Sequence, residues 1–243
     1  MIKDEGQLIF KLDKPEALGL ENFFISPSNK LAVNSINKWR LWTERKLILL
    51  GPTASGKSHL ANFWASETCA LKIDRGCILS DDIMEFTKHG ALLIEDLDAF
   101  IDDEKQERIL IQEQLFHFFN ALSQAKCYLL ITGSTPVSNW GITIPDLFSR
   151  LSSYEKVNLM PPDDTLLTAV MVKQFEDKQI KASPEFISFV SKRLNRTFDC
   201  VRDFVDLIDE LTLREKREVT IPVANMALDR LSSLEKKNKK YNE

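Results

Sequence analysis

The hydrophobic pattern of the chain has two regimes. After Ser26-Pro27-Ser28-Asn29, apolar residues at Leu31, Val33, Ile36, Trp39 and Leu41 follow helical spacing, with Ser28 or Asn29 placed as a cap. Lys46 to Leu50 is a short apolar run broken by Gly51-Pro52, the mark of a buried parallel strand. From there the pattern predicts a helix over 57–68, a strand over 69–73 and a short helix over 80–87 opening on Asp81-Asp82. An apolar strand over 91–97 follows His89-Gly90. A long helix over 106–125 then carries Leu115, Phe118, Phe119 and Leu122 on one face, and a continuous strand over 127–132 ends at Gly133. Uninterrupted apolar strands alternating with helices indicate an α/β layer structure around a mainly parallel sheet.

Past Pro161-Pro162 only helical spacing remains: Leu166, Leu167, Val170, Met171 and Phe175, then Phe186, Phe189, Val190 and Leu194, then Val201, Phe204, Val205, Ile208 and Leu211. Ile221-Pro222 opens a last short helix through Leu231, and Lys236 to Glu243 reads as a polar, frayed end. The organisation expected is a tail over 1–20, an α/β domain over 21–160, a helical lid over 161–232 and a polar tail over 233–243. No internal repeat interrupts this reading.

Composition narrows the function classes. With 243 residues, 44% hydrophobic and 28% charged, the chain has the make-up of an ordinary soluble protein. A net charge of −4 argues against binding nucleic acid by bulk electrostatics. Cys69, Cys77, Cys127 and Cys200 form no C-x-x-C pair, and His59, His89 and His117 have no metal-ligand spacing. No secretory signal precedes the fold and no run approaches the ~20 apolar residues of a membrane span, so a cytoplasmic protein with no membrane partner is expected.

The chemistry begins at Gly51-Pro52-Thr53-Ala54-Ser55-Gly56-Lys57-Ser58, which satisfies G-x-x-x-x-G-K-[ST] between a predicted strand and a predicted helix. Glycines let the backbone wrap so that its N–H groups form a phosphate-sized nest. Lys57 supplies charge to the β- and γ-phosphates, the Ser58 hydroxyl is a ligand for Mg²⁺, and the helix start, with His59 following, adds partial positive charge. Leu92-Leu93-Ile94-Glu95-Asp96 delivers acids at the end of an apolar strand, where α/β ligands sit. Glu95 stands where an Asp metal ligand is usual, with Asp96 to orient water and Asp98 beyond; solvated strand-end acids are the alternative.

Further segments resemble AAA+ proteins. Tyr128-Leu129-Leu130-Ile131-Thr132-Gly133-Ser134 resembles the sensor I strand, which puts a polar group, here Ser134, near the γ-phosphate. Pro145-Asp146-Leu147-Phe148-Ser149-Arg150-Leu151 resembles the box that ends in an arginine finger, and Cys200-Val201-Arg202-Asp203-Phe204 resembles the sensor II helix. Asn22-Phe23-Phe24-Ile25-Ser26-Pro27-Ser28-Asn29 looks like the DnaA segment that enters the pocket beside the adenine, through Phe24 and Ile25. The resemblance is to the bacterial replication initiator DnaA and, within that group, to the shorter Hda proteins. The dozen residues after Leu231 leave no room for a helix-turn-helix reader, so direct origin recognition is not expected.

Gln7-Leu8-Ile9-Phe10-Lys11-Leu12 is similar to the peptide by which Hda-type proteins dock on the DNA polymerase III sliding clamp. Gln7 would hydrogen-bond at a groove rim while Leu8, Phe10 and Leu12 supply apolar anchors; an N-terminal strand packed on the domain's own sheet is the other reading. The resemblance implies a regulator that holds ADP or ATP largely as a structural ligand, meets DNA only through the clamp, and presents Arg150 to ATP on DnaA. Ser134 and Glu95, departing from the DnaA pattern, point to weak intrinsic ATPase activity. An AAA+ adapter or loader with another replication partner is the alternative, and a nucleotide-metabolising kinase a more distant one. Oligomeric state stays open, a homo-oligomer included.

Overall fold

A computed structural model describes residues 24–80, 83–101, 105–215 and 219–241. The clamp-like segment 7–12 and the Asp81-Asp82 helix start lie outside the described residues. The chain divides into two units, Ser28–Met160 and a second made of the residues from Pro161 onward with Phe24 to Pro27.

In the first unit α1 (Lys30–Asn37) leads through 3-10 turns at Trp39–Leu41 and Thr43–Arg45 into β1 (Lys46–Leu50). Then come α2 (Lys57–Thr68), β2 (Leu71–Lys72), α3 (Arg75–Ile78), α4 (Ile83–Phe86) and β3 (Ala91–Ile94). The unit ends with α5 (Leu97–Ile101), α6 (Lys105–Gln124), β4 (Tyr128–Gly133), α7 (Pro145–Ser153) and β5 (Glu155–Asn158). The five strands lie in the order β2-β3-β4-β1-β5 and every pair is parallel. Parallel strands expose no alternating polar face, and every residue of β1 and β3 is buried, which is why they read as continuous apolar runs. Ile48, Leu92, Ile94, Leu129 and Ile131 pack with Phe118, Phe119 and Leu122 of α6 in one core.

Because all strands point the same way, the sheet has two unlike edges. The turns after β1, β3 and β4 gather at the C-terminal edge, and the strand starts at Lys46, Ala91 and Tyr128 gather at the opposite one.

Several sequence expectations change. The first helix stops at Asn37, before Trp39 and Leu41, because the indole N–H of buried Trp42 donates to the Ser35 carbonyl at 2.7 Å and turns the chain. Leu31 and Leu41, expected on its apolar face, are 74% and 78% exposed. Asn29 holds the N-cap position, but its side chain makes no capping bond. The strand expected over 69–73 is the two-residue β2, and that over 91–97 ends at Ile94, with Leu97 opening α5. The helix expected over 80–87 is α4 followed by a 3-10 turn at Thr87–His89. β5 was not expected: only Val157 of its four residues is buried, so it has no apolar run to read.

The second unit is all-helical: α8 (Asp164–Asp177), α9 (Pro184–Ser191), α10 (Phe198–Glu215) and α11 (Ile221–Tyr241). Asp163 Oδ1 caps α8 by accepting from the Leu166 N–H at 2.8 Å, and Ser183 Oγ caps α9 through the Phe186 N–H at 3.2 Å. Leu167, Met171, Phe175, Phe186, Phe204 and Ile208 form its core. The last helix does not end near Leu231 but runs to Tyr241, since the polar stretch holds helix-favouring Glu and Lys and no Gly or Pro to stop it.

Candidate functional site

The C-terminal edge carries the phosphate loop. Gly51 continues the β1–β4 ladder by donating to the Gly133 carbonyl at 3.1 Å. A Cβ at Gly51 would stand 2.5 Å from the Leu159 carbonyl oxygen, so only glycine passes there. Ala54 (φ 57°) and Gly56 (φ 95°) are left-handed, which curls the loop before α2 starts at Lys57. Pro52, Thr53, Ser58 and His59 are exposed around it. Lys57 is buried and folds back, its Nζ donating to the carbonyls of Gly51 at 2.8 Å and Pro52 at 3.1 Å. Ser55 is buried, and its Oγ has no hydrogen-bond partner. A curled backbone, a captive ammonium and a spare hydroxyl suit a ligand rich in acceptor oxygens.

The acids after β3 share this edge, separated from the loop by β4. Glu95 pairs with Lys72 at 3.5 Å, and Asp96 is exposed with a left-handed φ of 48°. That turn is pinned by Thr132 of β4, fully buried, whose Oγ1 accepts from the Asp96 N–H at 2.9 Å. Asp98 Oδ2 accepts from the N–H groups of Ser134 at 2.7 Å and Thr135 at 3.2 Å. Thr132 and Asp98 therefore set the geometry of the acids and of Ser134. Sequence reasoning quoted both residues without seeing these roles, which only the β3–β4 pairing creates. Among the described residues no group of three or more His, Cys, Asp or Glu is placed to hold a metal. Ser58 and Glu95 are the candidate protein ligands for a divalent ion shared with phosphate oxygens.

Arg150 is elsewhere. From the last turn of α7 its Nη2 donates to Asn120 Oδ1 at 2.5 Å and its Nη1 to Ser123 Oγ at 3.1 Å, with Phe116 5.9 Å beneath the guanidinium. Asn120 and Ser123 lie near the end of α6, whose chain then enters β4 at the N-terminal edge. Arg150 thus faces the end of the sheet away from its own phosphate loop, roughly 16 Å off by the five-residue length of β1. Beside it Lys46, 1% exposed, donates to the Cys127 carbonyl at 2.6 Å. Burial lowers the Lys46 pKa to about 8 against the opposing pull of Cys127 and Glu44, with Arg45 and Arg150 adding to the lowering. Burial likewise raises the Tyr154 hydroxyl, and the Arg150 charge opposes it.

The approach to α7 is fixed by fully buried Gln112. Its Oε1 accepts from Thr143 N–H (2.8 Å), Thr143 Oγ1 (3.1 Å) and Ile144 N–H (3.3 Å), while its Nε2 donates to the Gly141 carbonyl (3.4 Å). The signal for it was an amide on the buried face of a long helix, beside Ile111 and three residues before Leu115.

In the helical unit Arg202 pairs with Asp199 at 3.0 Å and Asp203 at 3.4 Å on its own helix. Phe24 is half-buried and Ile25 buried. Among the described residues no helix is long and apolar enough to cross a membrane.

No family model matches the chain. It is 28% identical over 213 residues to the chromosomal replication initiator protein DnaA of Borreliella afzelii, an alignment covering 79% of this chain and 42% of that one. The chain thus spans less than half of that relative. Domain III of the Thermotoga maritima replication initiation protein DnaA superposes with a TM-score of 0.72 at 22% identity, over 87% of this chain and 95% of that one. AMPPCP-bound DnaA from Aquifex aeolicus superposes with a TM-score of 0.66 at 17% identity, over 90% and 69%. The fold is the α/β AAA+ fold, and the chain is DnaA-like in fold and in sequence.

Proposed function

We propose that this protein is a DnaA-like regulator that binds an adenine nucleotide in its own loop and supplies Arg150 to ATP held by DnaA. The observation that carries this reading is the position of Arg150, at the sheet edge opposite its own phosphate loop and tied to α6. An arginine there cannot serve its own γ-phosphate, but it can serve that of a neighbour. In such a role its guanidinium offsets the charge spreading over the transferred phosphoryl oxygens, an effect worth about 10³-fold or more in rate.

In the protein's own site ADP or ATP, with Mg²⁺, would lie in the 51–58 loop against Lys57 and Ser58, with Glu95 at the metal, Asp96 facing the water side and Ser134 beside the γ-phosphate. Phe24, Ile25 and Arg202 are assigned to the adenine and phosphate ends on the resemblance alone. The bound nucleotide supplies anchoring phosphates and stabilises the fold by mass action. The AMPPCP complex of a DnaA of the same fold supports an adenine nucleotide as the ligand. Engagement of Glu95 by Lys72 supports slow turnover at the protein's own site. Gln7, Leu8, Phe10 and Leu12 are proposed to dock on the sliding clamp, so that DNA is met through the clamp.

The test is hydrolysis of DnaA-bound ATP with clamp-loaded DNA, with and without this protein. Stimulation that falls to near background in Arg150→Ala, with ADP binding intact, is the expected result. Equal stimulation by the variant overturns the arginine assignment, and equal stimulation by Gln7→Ala overturns the clamp docking.

A further inference from the structure

The N-terminal edge of the sheet holds a second group that the arginine assignment does not use. Trp39 stands in the 3-10 turn after α1, and Tyr128 starts β4; their rings meet edge to face with centroids 4.7 Å apart. The Arg40 guanidinium lies 4.1 Å from the centre of the Trp39 ring, and that of Arg45 lies 5.1 Å from the centre of the Tyr128 ring. Arg45 is also tethered, its Nη1 donating to the Lys126 carbonyl at 2.7 Å. Three consecutive turns hold the set: Leu41 N–H to the Lys38 carbonyl, Trp42 N–H to Trp39, and Arg45 N–H to Trp42. Glu44 (φ 51°), Arg45 (φ 62°) and Lys126 (φ 56°) all occupy left-handed backbone, so this corner is shaped against local preference.

The composition of this corner is that of an interface. Lys38, Arg40, Arg45 and Lys126 are exposed cations, Leu41 is 78% exposed, and Glu44 is an exposed carboxylate among them. Trp, Tyr and Arg are the residues that dominate binding energy at protein interfaces. Isolated surface cation–π pairs contribute too little to account for an exposed leucine in one turn and two left-handed residues in the next.

The corner is continuous with Arg150. The Ser123 hydroxyl that accepts from Arg150 and the Lys126 carbonyl that accepts from Arg45 stand three residues apart where α6 ends. Charge also identifies the occupant. The opposite edge of this fold carries Glu95, Asp96 and Asp98 beside the phosphate loop, and nucleotide phosphates add further negative charge there. A partner built on the same fold and loaded with ATP would bring the negative charge of its triphosphate to Arg150 and to the cations beside it.

We infer that Trp39, Arg40, Arg45 and Tyr128, with Lys38 and Leu41, form a docking surface for the acidic nucleotide-bearing edge of the ATP-loaded partner that Arg150 serves. This deepens the reading given above and rests on it. The surface contributes affinity and Arg150 contributes rate.

The experiment separates the two. Hydrolysis of DnaA-bound ATP is followed as a function of the concentration of this 243-residue chain, and association with ATP-loaded DnaA is measured directly by interferometry. Lys38→Glu with Arg40→Glu, both exposed and outside the core, is expected to raise the half-saturating concentration at least tenfold and leave the plateau within twofold. Trp39→Leu is expected to raise it severalfold, with ADP binding unchanged and the melting temperature lowered by only a few degrees for the lost ring contact. Arg150→Ala is expected to lower the plateau instead. Unchanged half-saturation in both corner variants overturns the surface while leaving Arg150 standing. So does an equal effect from the control reversal Lys181→Glu with Lys192→Glu in the helical unit, or loss of self-association in place of partner binding. A full plateau from Arg150→Ala overturns the arginine reading alone, and no association of the wild-type protein with DnaA overturns both.

Discussion

The two edges of the sheet are built by different means. At the C-terminal edge the backbone forms the site: Gly51 threads past the Leu159 carbonyl, Gly56 turns left-handed, and Lys57 is held by carbonyls of its own loop. At the N-terminal edge side chains form it: Asn120 and Ser123 hold Arg150, Gln112 holds the approach to α7, and Lys46 is bonded to the Cys127 carbonyl. Backbone sites need residues at fixed spacing within one segment, whereas side-chain sites draw on segments far apart in the chain. The first edge is therefore stiff and local, and the second depends on the packing of α6, α7 and β1.

Gly51→Ala strikes the backbone edge hardest. Its new methyl would meet the Leu159 carbonyl oxygen at 2.5 Å, so the loop must move. The expected loss is about 3 kcal/mol or more in unfolding free energy, as for other strained backbone or overpacked positions. ADP affinity measured by calorimetry should fall at least ~100-fold, the equivalent of roughly 2.7 kcal/mol. A variant that binds ADP as the wild type does would show that the loop does not need its tight passage.

At the other edge the sharpest break is pH. The Lys46 pKa is lowered to about 8 by burial, below its ordinary value of 10.5. Below pH 8 both folded and unfolded chains keep the proton, and the fold bears the full cost of a buried charge. Between 8 and 10.5 the unfolded chain holds more protons than the folded one, so this residue's contribution to stability rises with pH, by about 3 kcal/mol in all. Lys46→Met should remove that rise, seen as the difference between wild-type and variant urea midpoints at pH 7.5 and 10. Parallel curves would refute it.

Gln112→Leu has a smaller effect with a longer reach. It leaves the Thr143 and Ile144 N–H groups without their acceptor, a cost of about 2 kcal/mol by the usual penalty for unmet buried donors. Since those residues lead into α7, stimulation through Arg150 should fall more than ADP binding does. Equal losses in both would mean that the two edges are not separately built.

That contrast also explains what could be read from residues alone. The alternation of strands and helices, the parallel sheet and the phosphate loop were legible because each follows from local period or spacing. β5 was not, because one buried Val157 in an edge strand makes no pattern. The continuation of α11 past Leu231 was missed because apolar residues end there while helix-favouring ones continue. Arg150 could be singled out by the segment around it, but not its partners: Asn120 and Ser123 come from a helix some thirty residues earlier, and only the fold brings them to it. Thr132 was assigned to a strand, and its hydroxyl bond to the Asp96 backbone depends on strand pairing.

The smallest effect makes the finest distinction. Ser55 Oγ is buried in the phosphate loop without a hydrogen-bond partner, while the Lys57 ammonium of the same loop is bonded to two carbonyls. An unpaired buried hydroxyl is a cost to the empty fold, so Ser55→Ala should leave the melting temperature of the nucleotide-free protein unchanged or slightly raised, within about 0.5 kcal/mol. If the hydroxyl is reserved for a phosphate oxygen, the same variant should show a smaller rise in melting temperature on adding ADP, with affinity reduced severalfold. The sign of the change then differs between empty and loaded protein, which a purely structural serine cannot produce. Equal stabilisation of wild type and Ser55→Ala by ADP would remove this residue from the site and leave the curled backbone and Lys57 as its phosphate-binding parts.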